Sequence, residues 1–246
     1  MIFELEDTSK VEGLFDSWED TCIRSCLQKV MGSVFVTDTE APVSAIAILD
    51  CYAFCAGEPD AELLGKPEGF VILVPLNEGW ERLIEKTLPN AEKQIRYAIR
   101  KDTVFDREKL EAYVASLPEG YEIMRIDSRV YDLCAAGSFE KSFVSVFGSK
   151  ELFLKLGMGF VIMKEGSIVA GASSYSRYLE GIEVQVETKK EERKKGLACV
   201  ACAKLILACL DEGLYPSWDA ANMASRRLAE KLGYEFDREY VSYEAE

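Results

Sequence analysis

The run Lys189-Lys-Glu-Glu-Arg-Lys-Lys195 puts five cations among seven residues, between an alternating strand pattern (Ile182 to Thr188) and an apolar helix pattern (Leu197 to Leu210). A strand pattern at Leu214 to Asp219 and a helical run after Asn222 come next without a break, so residues 182–234 specify layered α/β structure. The charge placement is adverse for an isolated helix. A helix N-terminus already carries about half a positive charge and favours acids in its first turn. The far end is inverted too, with Asp211 and Glu212 before the stop signal Gly213. A polyanion such as phosphate at the N-terminus would reverse the first penalty, because backbone N–H groups, dipole and basic side chains would all address it. Gly196, lacking a Cβ, lets the backbone approach such a group closely.

The spacing Arg193-x-x-Gly196-x-Ala198 resembles the acyl-CoA pyrophosphate loop of the GNAT superfamily of N-acetyltransferases, Gln/Arg-x-x-Gly-x-Gly/Ala. The segments downstream of the loop stand at the family's distances and strengthen the likeness: the helix, the strand, then Asn222-Met-Ala-Ser225 and Leu228-Ala-Glu-Lys-Leu-Gly-Tyr234, which is similar to the family's pantetheine-holding tail. Arg96-Tyr-Ala-Ile99, Ser173-Ser-Tyr-Ser176, Gly196-Leu-Ala198 and Tyr215-Pro-Ser-Trp-Asp-Ala220 resemble a bacterial subfamily that includes the zwittermicin A resistance acetyltransferase. The resemblance implies an α/β fold with a mixed sheet, the GNAT acyl-CoA N-acyltransferase fold, with acetyl-CoA as cosubstrate. It implies that Arg193, Lys194, Lys195, Gly196, Leu197 and Ala198 hold the diphosphate. The strand around Val186 and Thr188 would align pantetheine, with Asn222 and Ser225 contributing; for Asn222 the alternative is a helix cap.

At 246 residues the chain has room for one large domain or two ordinary ones. The likeness is closest from Tyr121 onward, which suggests an acetyltransferase domain over 121–246 and an additional α/β region over 1–120. That first region reads as a helix from Val11 to Gly32, strands at Ser33–Val36, Ser44–Phe54 and Gly69–Val74, a helix near Trp80–Leu88, a strand at Gln94–Arg100, and a helix over Val104–Leu117 capped by Thr103. The order faintly echoes the second region but lacks the basic loop. A degenerate duplicate and an accessory lid or dimerisation region both remain open. In the second region Tyr121–Ile126 is a strand, Ser128–Leu156 mostly helical, and Gly159–Met163 with Ile168–Tyr175 a strand pair about the turn Lys164–Ser167. After Gly233 there is room for one good strand, and the first half is a candidate to complete the sheet.

The net charge of −14, from 29 Lys and Arg against 43 Asp and Glu, disfavours nucleic acid and attracts cationic small molecules. The acidic start and the lack of a long uncharged run suggest a cytoplasmic protein without membrane contact. The eight cysteines lie in apolar segments and read as buried thiols; with no histidine in the chain, Cys199 and Cys202 make a poor metal site.

Acetyl transfer to an amine requires a deprotonated nucleophile, since a lysine-like amine has a pKa of about 10.4. Without histidine the base is a carboxylate or water. Glu183, ten residues before Arg193, lies close to where some relatives keep a catalytic glutamate, and Glu187 shares its strand face. A solvated edge or an ion pair is the alternative for both. The family's usual acidic tyrosine position is Ala229, leaving Tyr234, Tyr240 and Ser225 as candidate acids. The expected activity is therefore acetyl-CoA-dependent N-acetylation of a primary amine on a small cationic molecule, a polyamine or an amino-bearing antibiotic, with no metal and with a homodimer as an option. The alternatives are a non-catalytic acyl-CoA sensor and a protein N-acetyltransferase.

Overall fold

Alternating apolar residues set the strands, and side-chain caps set most of the helix starts. The structure, a computed structural model, describes residues 1–246. In chain order, β1 (Phe3–Glu4) leads through a 3-10 turn to α1 (Glu12–Phe15) and α2 (Thr21–Leu27). Then come β2 (Ser33–Val36), β3 (Ser44–Leu49), β4 (Tyr52–Gly57), α3 (Ala61–Leu64), β5 (Val71–Pro75), α4 (Glu78–Thr87) and β6 (Glu92–Ile99). After α5 (Arg107–Ala115) a second series begins: β7 (Tyr121–Arg125), α6 (Ser128–Ala136), two 3-10 turns, α7 (Lys150–Leu156), β8 (Gly159–Lys164), β9 (Ser167–Tyr178) and β10 (Gly181–Thr188). A further 3-10 turn precedes α8 (Leu197–Asp211), which is followed by β11 (Tyr215–Ser217), β12 (Asp219–Ala220), α9 (Met223–Leu232) and β13 (Phe236–Ala245). None of the helices is long and apolar enough to cross a membrane.

The chain divides into two compact units, Met1–Arg96 with Glu239–Glu246, and Tyr97–Arg238. In the first, β1 to β5 lie in sequence order, antiparallel through β4, and β4 and β5 run parallel. In the second, β7 to β11 repeat that pattern: three antiparallel pairings, then a parallel pairing of β10 with β11. The helices match as well, since each series places helices between its first and second strands, one between its fourth and fifth, and one after the fifth. Each unit then borrows its last strand. β13, which follows α9, pairs with β5 through Tyr243↔Leu73 and its neighbours. β6, which follows α4, pairs with β12 through Asp219↔Ala98 and Ala220↔Tyr97.

The first core gathers Ile46, Leu63, Leu73, Trp80, Ile84 and Tyr243; the second is built around α8, with Leu110, Phe160, Ile182, Leu205 and Trp218. α8 is buried on most of its surface, which suits its nearly continuous apolar sequence. The acids at its end, adverse to the dipole, meet Arg107 (to Asp211, 2.6 Å) and Arg125 (to Glu212, 3.1 Å). These exposed pairs contribute roughly 0.2–1 kcal/mol each.

Three local expectations change. The first helix is not continuous to Gly32, because the Asp20 carboxylate accepts from Cys22 N and restarts the chain as α2. α5 is capped by Asp106, whose side chain accepts from Lys109 N, rather than by Thr103. Residues 97–120 pack with the second unit, since Leu110 of α5 lies in the core around α8, so the division falls at 96/97 where the sequence suggested 120/121.

Candidate functional site

β10 and β11 run side by side only over Gly181↔Tyr215, Ile182↔Pro216 and Glu183↔Ser217. Beyond Ser217 the chain leaves to pair with β6 as β12, while β10 continues to Thr188 with β9 on its other side. Val184 to Thr188 thus present one strand edge without a strand partner, and the backbone N–H and C=O groups that point off it, Thr188 O apart, are ready to bond an extended amide-bearing chain. A bulge marks the parting: Glu183 pairs with Ser176 and Val184 with Ser174, leaving Tyr175 of β9 as the extra residue.

The open edge leads into the basic turn. Lys194 holds a left-handed conformation at φ 64° and Gly196 at φ 82°. For a lysine that conformation costs about 1 kcal/mol, so the turn is held by its surroundings. α8 starts at Gly196 with no side-chain cap, so the first N–H groups of the helix point outward unclaimed by any side chain. A depression of about 210 Å³ lies here, its lining including Thr188, Glu192, Arg193, Lys194, Gly196, Leu197 and Ala198. Of these, all but Glu192 were expected at the cosubstrate from sequence. A Cβ on Gly196 would meet nothing within 4 Å, so the space above it is open. Thr188 Oγ1 is buried without a hydrogen-bond partner beside it. Arg193 steadies the turn by donating from Nε to Thr188 O at 3.2 Å.

Lys195 does something different. Its Nζ lies 2.7 Å from Glu192, whose carboxylate also accepts from Lys164 (3.0 Å) and from Tyr121 Oη (2.5 Å). Those bonds, Lys195's first, draw the Glu192 pKa down to about 2. Glu192 therefore ties the turn to β7 and β8, and the pairing weakens Lys195 as an anion ligand. A cation the sequence reading passed over, Lys231 of α9, lines the same depression with Cys199 and Leu228. It sits inside the run Leu228–Gly233, where the motif gave it no role of its own.

Glu183 and Glu187 share one face of β10, the face away from α8, while Ile182, Val184 and Val186 pack into the core around that helix. Glu183 is only 7% exposed. Glu187 shows more surface, yet burial around its carboxyl raises its pKa, with Arg193 pulling the other way. Asn222 caps α9 by accepting from Ala224 N and Ser225 N at 3.0 Å each. Ser225 Oγ accepts from Trp218 Nε1 at 3.1 Å. Both polar tips expected at pantetheine thus have structural work as acceptors, which leaves the amide hydrogens of Asn222 and the hydroxyl hydrogen of Ser225 as donors.

Tyr234 is corrected outright. Its ring is 3% exposed in the core, its hydroxyl donates to Pro216 O at 2.6 Å, and burial pushes its pKa far above the ordinary tyrosine value. A buried phenol with its proton on a backbone carbonyl is a packing residue and not a proton donor to a leaving group. The eight cysteines are free thiols, and burial raises Cys199 and Cys202 in α8.

Comparison with known proteins agrees with this geometry. The sequence profile of the GNAT acetyltransferase family matches residues 12–243. An uncharacterised N-acetyltransferase, YdfB of Bacillus subtilis, is 26% identical over 96% of this chain and 94% of its own length. The crystal structure of a GCN5-related N-acetyltransferase-like protein from Streptococcus suis superposes with a TM-score of 0.93 at 42% identity, covering 97% of this chain and 98% of that one. A tandem GNAT protein from the clavulanic acid biosynthesis pathway shares the fold at 11% identity, with a TM-score of 0.59 over 100% of this chain and 98% of its own.

Proposed function

The chain belongs to the GNAT acetyltransferase family and is an N-acetyltransferase of that family, and from that premise we propose that it moves the acetyl group of acetyl-CoA to a primary amine on a small cationic molecule. The observation that carries this reading is the parting of β10 from β11 at Glu183 and Ser217, opening a strand edge that runs into the uncapped start of α8. Backbone along Val184–Thr188 suits the amides of pantetheine. The N–H groups after Gly196, with Arg193, Lys194 and Lys231, suit a diphosphate. Acetyl-CoA supplies an activated carbonyl whose C–S bond breaks as the amine nitrogen bonds to carbon.

The chain's own contribution is proton removal from the incoming ammonium group. Glu183, buried beside the parting, is the proposed base, directly or through water, and Glu187 is its rival on the same face. With Tyr234 committed to Pro216, the thiolate leaves without a dedicated donor, as its pKa of about 8.5 permits. The net charge of −14 supports a cationic acceptor, and the likeness to the subfamily of the zwittermicin A resistance enzyme supports an amino-bearing antibiotic among such acceptors. The first unit is proposed as a degenerate copy of the second. It repeats the same strand order, but its counterpart of α8 is the four-residue α3, preceded by Glu58-Pro-Asp60 and capped by the Asp60 carboxylate, which would repel a diphosphate. The full-length fold likeness to a tandem GNAT protein supports the same reading.

Thiol release from acetyl-CoA with a panel of amines tests the activity. Glu183→Gln is expected to lower turnover by ~10²-fold or more while acetyl-CoA affinity stays nearly intact. If Glu183→Gln turns over normally and Glu187→Gln does not, the base is Glu187. In that case the acid limb of the rate profile lies above the ordinary carboxylate range, because a base with a raised pKa is protonated at higher pH. Cationic amines should lose rate as salt rises and the Debye length falls to about 8 Å near 0.15 M; a preference for neutral amines would reject the electrostatic argument.

A further inference from the structure

β7 is the outer strand of the second sheet, at the edge opposite β11, paired with β8 and with no strand on its other side. None of its residues, Tyr121-Glu-Ile-Met-Arg125, is buried. The register with β8 tells which backbone groups face outward. Ile126 N donates to Gly159 O at 2.8 Å, and that pair continues the register Arg125↔Phe160. Hydrogen-bonded pairs alternate along an antiparallel ladder, so Glu122 and Met124 spend their N–H and C=O groups on β8, while Tyr121, Ile123 and Arg125 turn theirs outward.

The chain itself answers the first and the last of these outward groups. Tyr121 N donates to Pro118 O at 3.3 Å, and Arg125 O accepts from Asp127 N at 3.0 Å. Tyr121 O, Ile123 N, Ile123 O and Arg125 N are left without a hydrogen bond inside the chain. In chain order they run acceptor, donor, acceptor, donor. Read backwards they run donor, acceptor, donor, acceptor, so the pattern is its own complement when a second copy is laid antiparallel against the first.

We infer that β7 is a dimerisation edge, on which two copies of this chain pair antiparallel about a two-fold axis at Ile123. In that register Tyr121 O accepts from N of the partner's Arg125, Ile123 exchanges both of its bonds with the partner's Ile123, and every outward group is satisfied. The side chains favour the same register. Arg125 falls opposite the partner's Tyr121, Ile123 opposite the partner's Ile123, and Glu122 opposite the partner's Met124, so no like charges meet. Sliding one copy by two residues in either direction leaves an outward group at one end unanswered, and in one direction sets Glu122 against Glu122. Charges on an edge strand discourage indiscriminate pairing, and here they leave open the one register in which they do not oppose each other.

The test is sedimentation velocity on the full-length protein over a series of concentrations. The expected result is a reversible monomer–dimer equilibrium that salt strengthens, because two chains of net charge −14 repel each other at low ionic strength. Ile123→Pro removes an outward donor from each copy without touching the β7–β8 ladder, and should weaken dimerisation by about tenfold or more. Met124→Glu sets a carboxylate opposite the partner's Glu122 and should weaken it by roughly two- to fivefold, whereas Met124→Lys sets a cation there and should strengthen it by a similar factor. Neither Met124 variant replaces a buried side chain, so this pair decides the matter even if Ile123→Pro damages the fold. A protein that stays monomeric throughout the series at high salt, a dimer indifferent to Ile123→Pro, or Met124 variants that fail to move association in opposite directions overturns the proposal. Growth beyond the dimer overturns it too, because two-fold pairing uses up both edges and closes.

Discussion

Glu192 is an acid in a run of bases, and its surroundings explain why it belongs there. Three donors from β7, β8 and the turn itself converge on its carboxylate and hold its pKa down at about 2, against an ordinary value of 4.5. A group with a depressed folded pKa contributes stability that is complete above the unfolded value and disappears as pH falls through the folded one. Thermal denaturation between about pH 5 and pH 2 should therefore show a steeper acid decline for the wild type than for Glu192→Gln, and superimposable declines would reject the tie. The sequence could not have announced this, because Tyr121 and Lys164 lie 71 and 28 residues away from Glu192. The same limit explains Tyr234. Its place in the tail motif was legible, but only the fold brings Pro216 O to its hydroxyl. Arg193, Gly196 and Ala198 were legible because their partners lie along the chain, in a strand, a turn and a helix start that are contiguous.

α8 unites a basic, uncapped start with a body that no surface helix would carry. Replacing Gly196 separates the demands made on its first turn. Gly196→Ala adds the left-handed strain of about 1 kcal/mol and puts a methyl group into the open space proposed for the diphosphate, so acetyl-CoA affinity should fall without being lost. Gly196→Asp adds a carboxylate facing unclaimed N–H groups and should abolish binding; calorimetry that finds both variants alike would dissociate α8 from the cosubstrate. Elements with strong local rules were the most readable. β8 and β9 fall where alternation placed them, about a two-residue turn whose Glu165 (φ 48°) and Gly166 (φ 78°) both have the positive φ that such hairpins need. The apolar stripe from Val11 to Val30 misled because a capping aspartate outweighs periodicity: Asp20 binds two backbone N–H groups and breaks the helix inside an unbroken hydrophobic pattern.

At the scale of the molecule, the two series of strands and helices are alike in order and exchanged in their last strand. Sequence suggested the echo faintly, but no local rule could predict the exchange, since most of the chain intervenes between β5 and β13. Tyr243 carries much of the seal. It is 2% exposed, packs into the first core, and donates its hydroxyl to Glu85 at 2.7 Å. Tyr243→Ala should lower stability by about 3–5 kcal/mol in denaturant unfolding; a loss below about 1 kcal/mol would mean that the C-terminal strand adds little to the first unit. The exchange also sets an order of events during synthesis. Residues 71–73 leave the ribosome long before the residues 243–245 that pair with them. Throughout translation of the second series the nascent chain carries an unsealed strand edge in its first, the kind of edge on which chains aggregate and chaperones act. The half made first is thus the half completed last, and a stop codon within β13 would release a nearly full-length polypeptide marked for degradation.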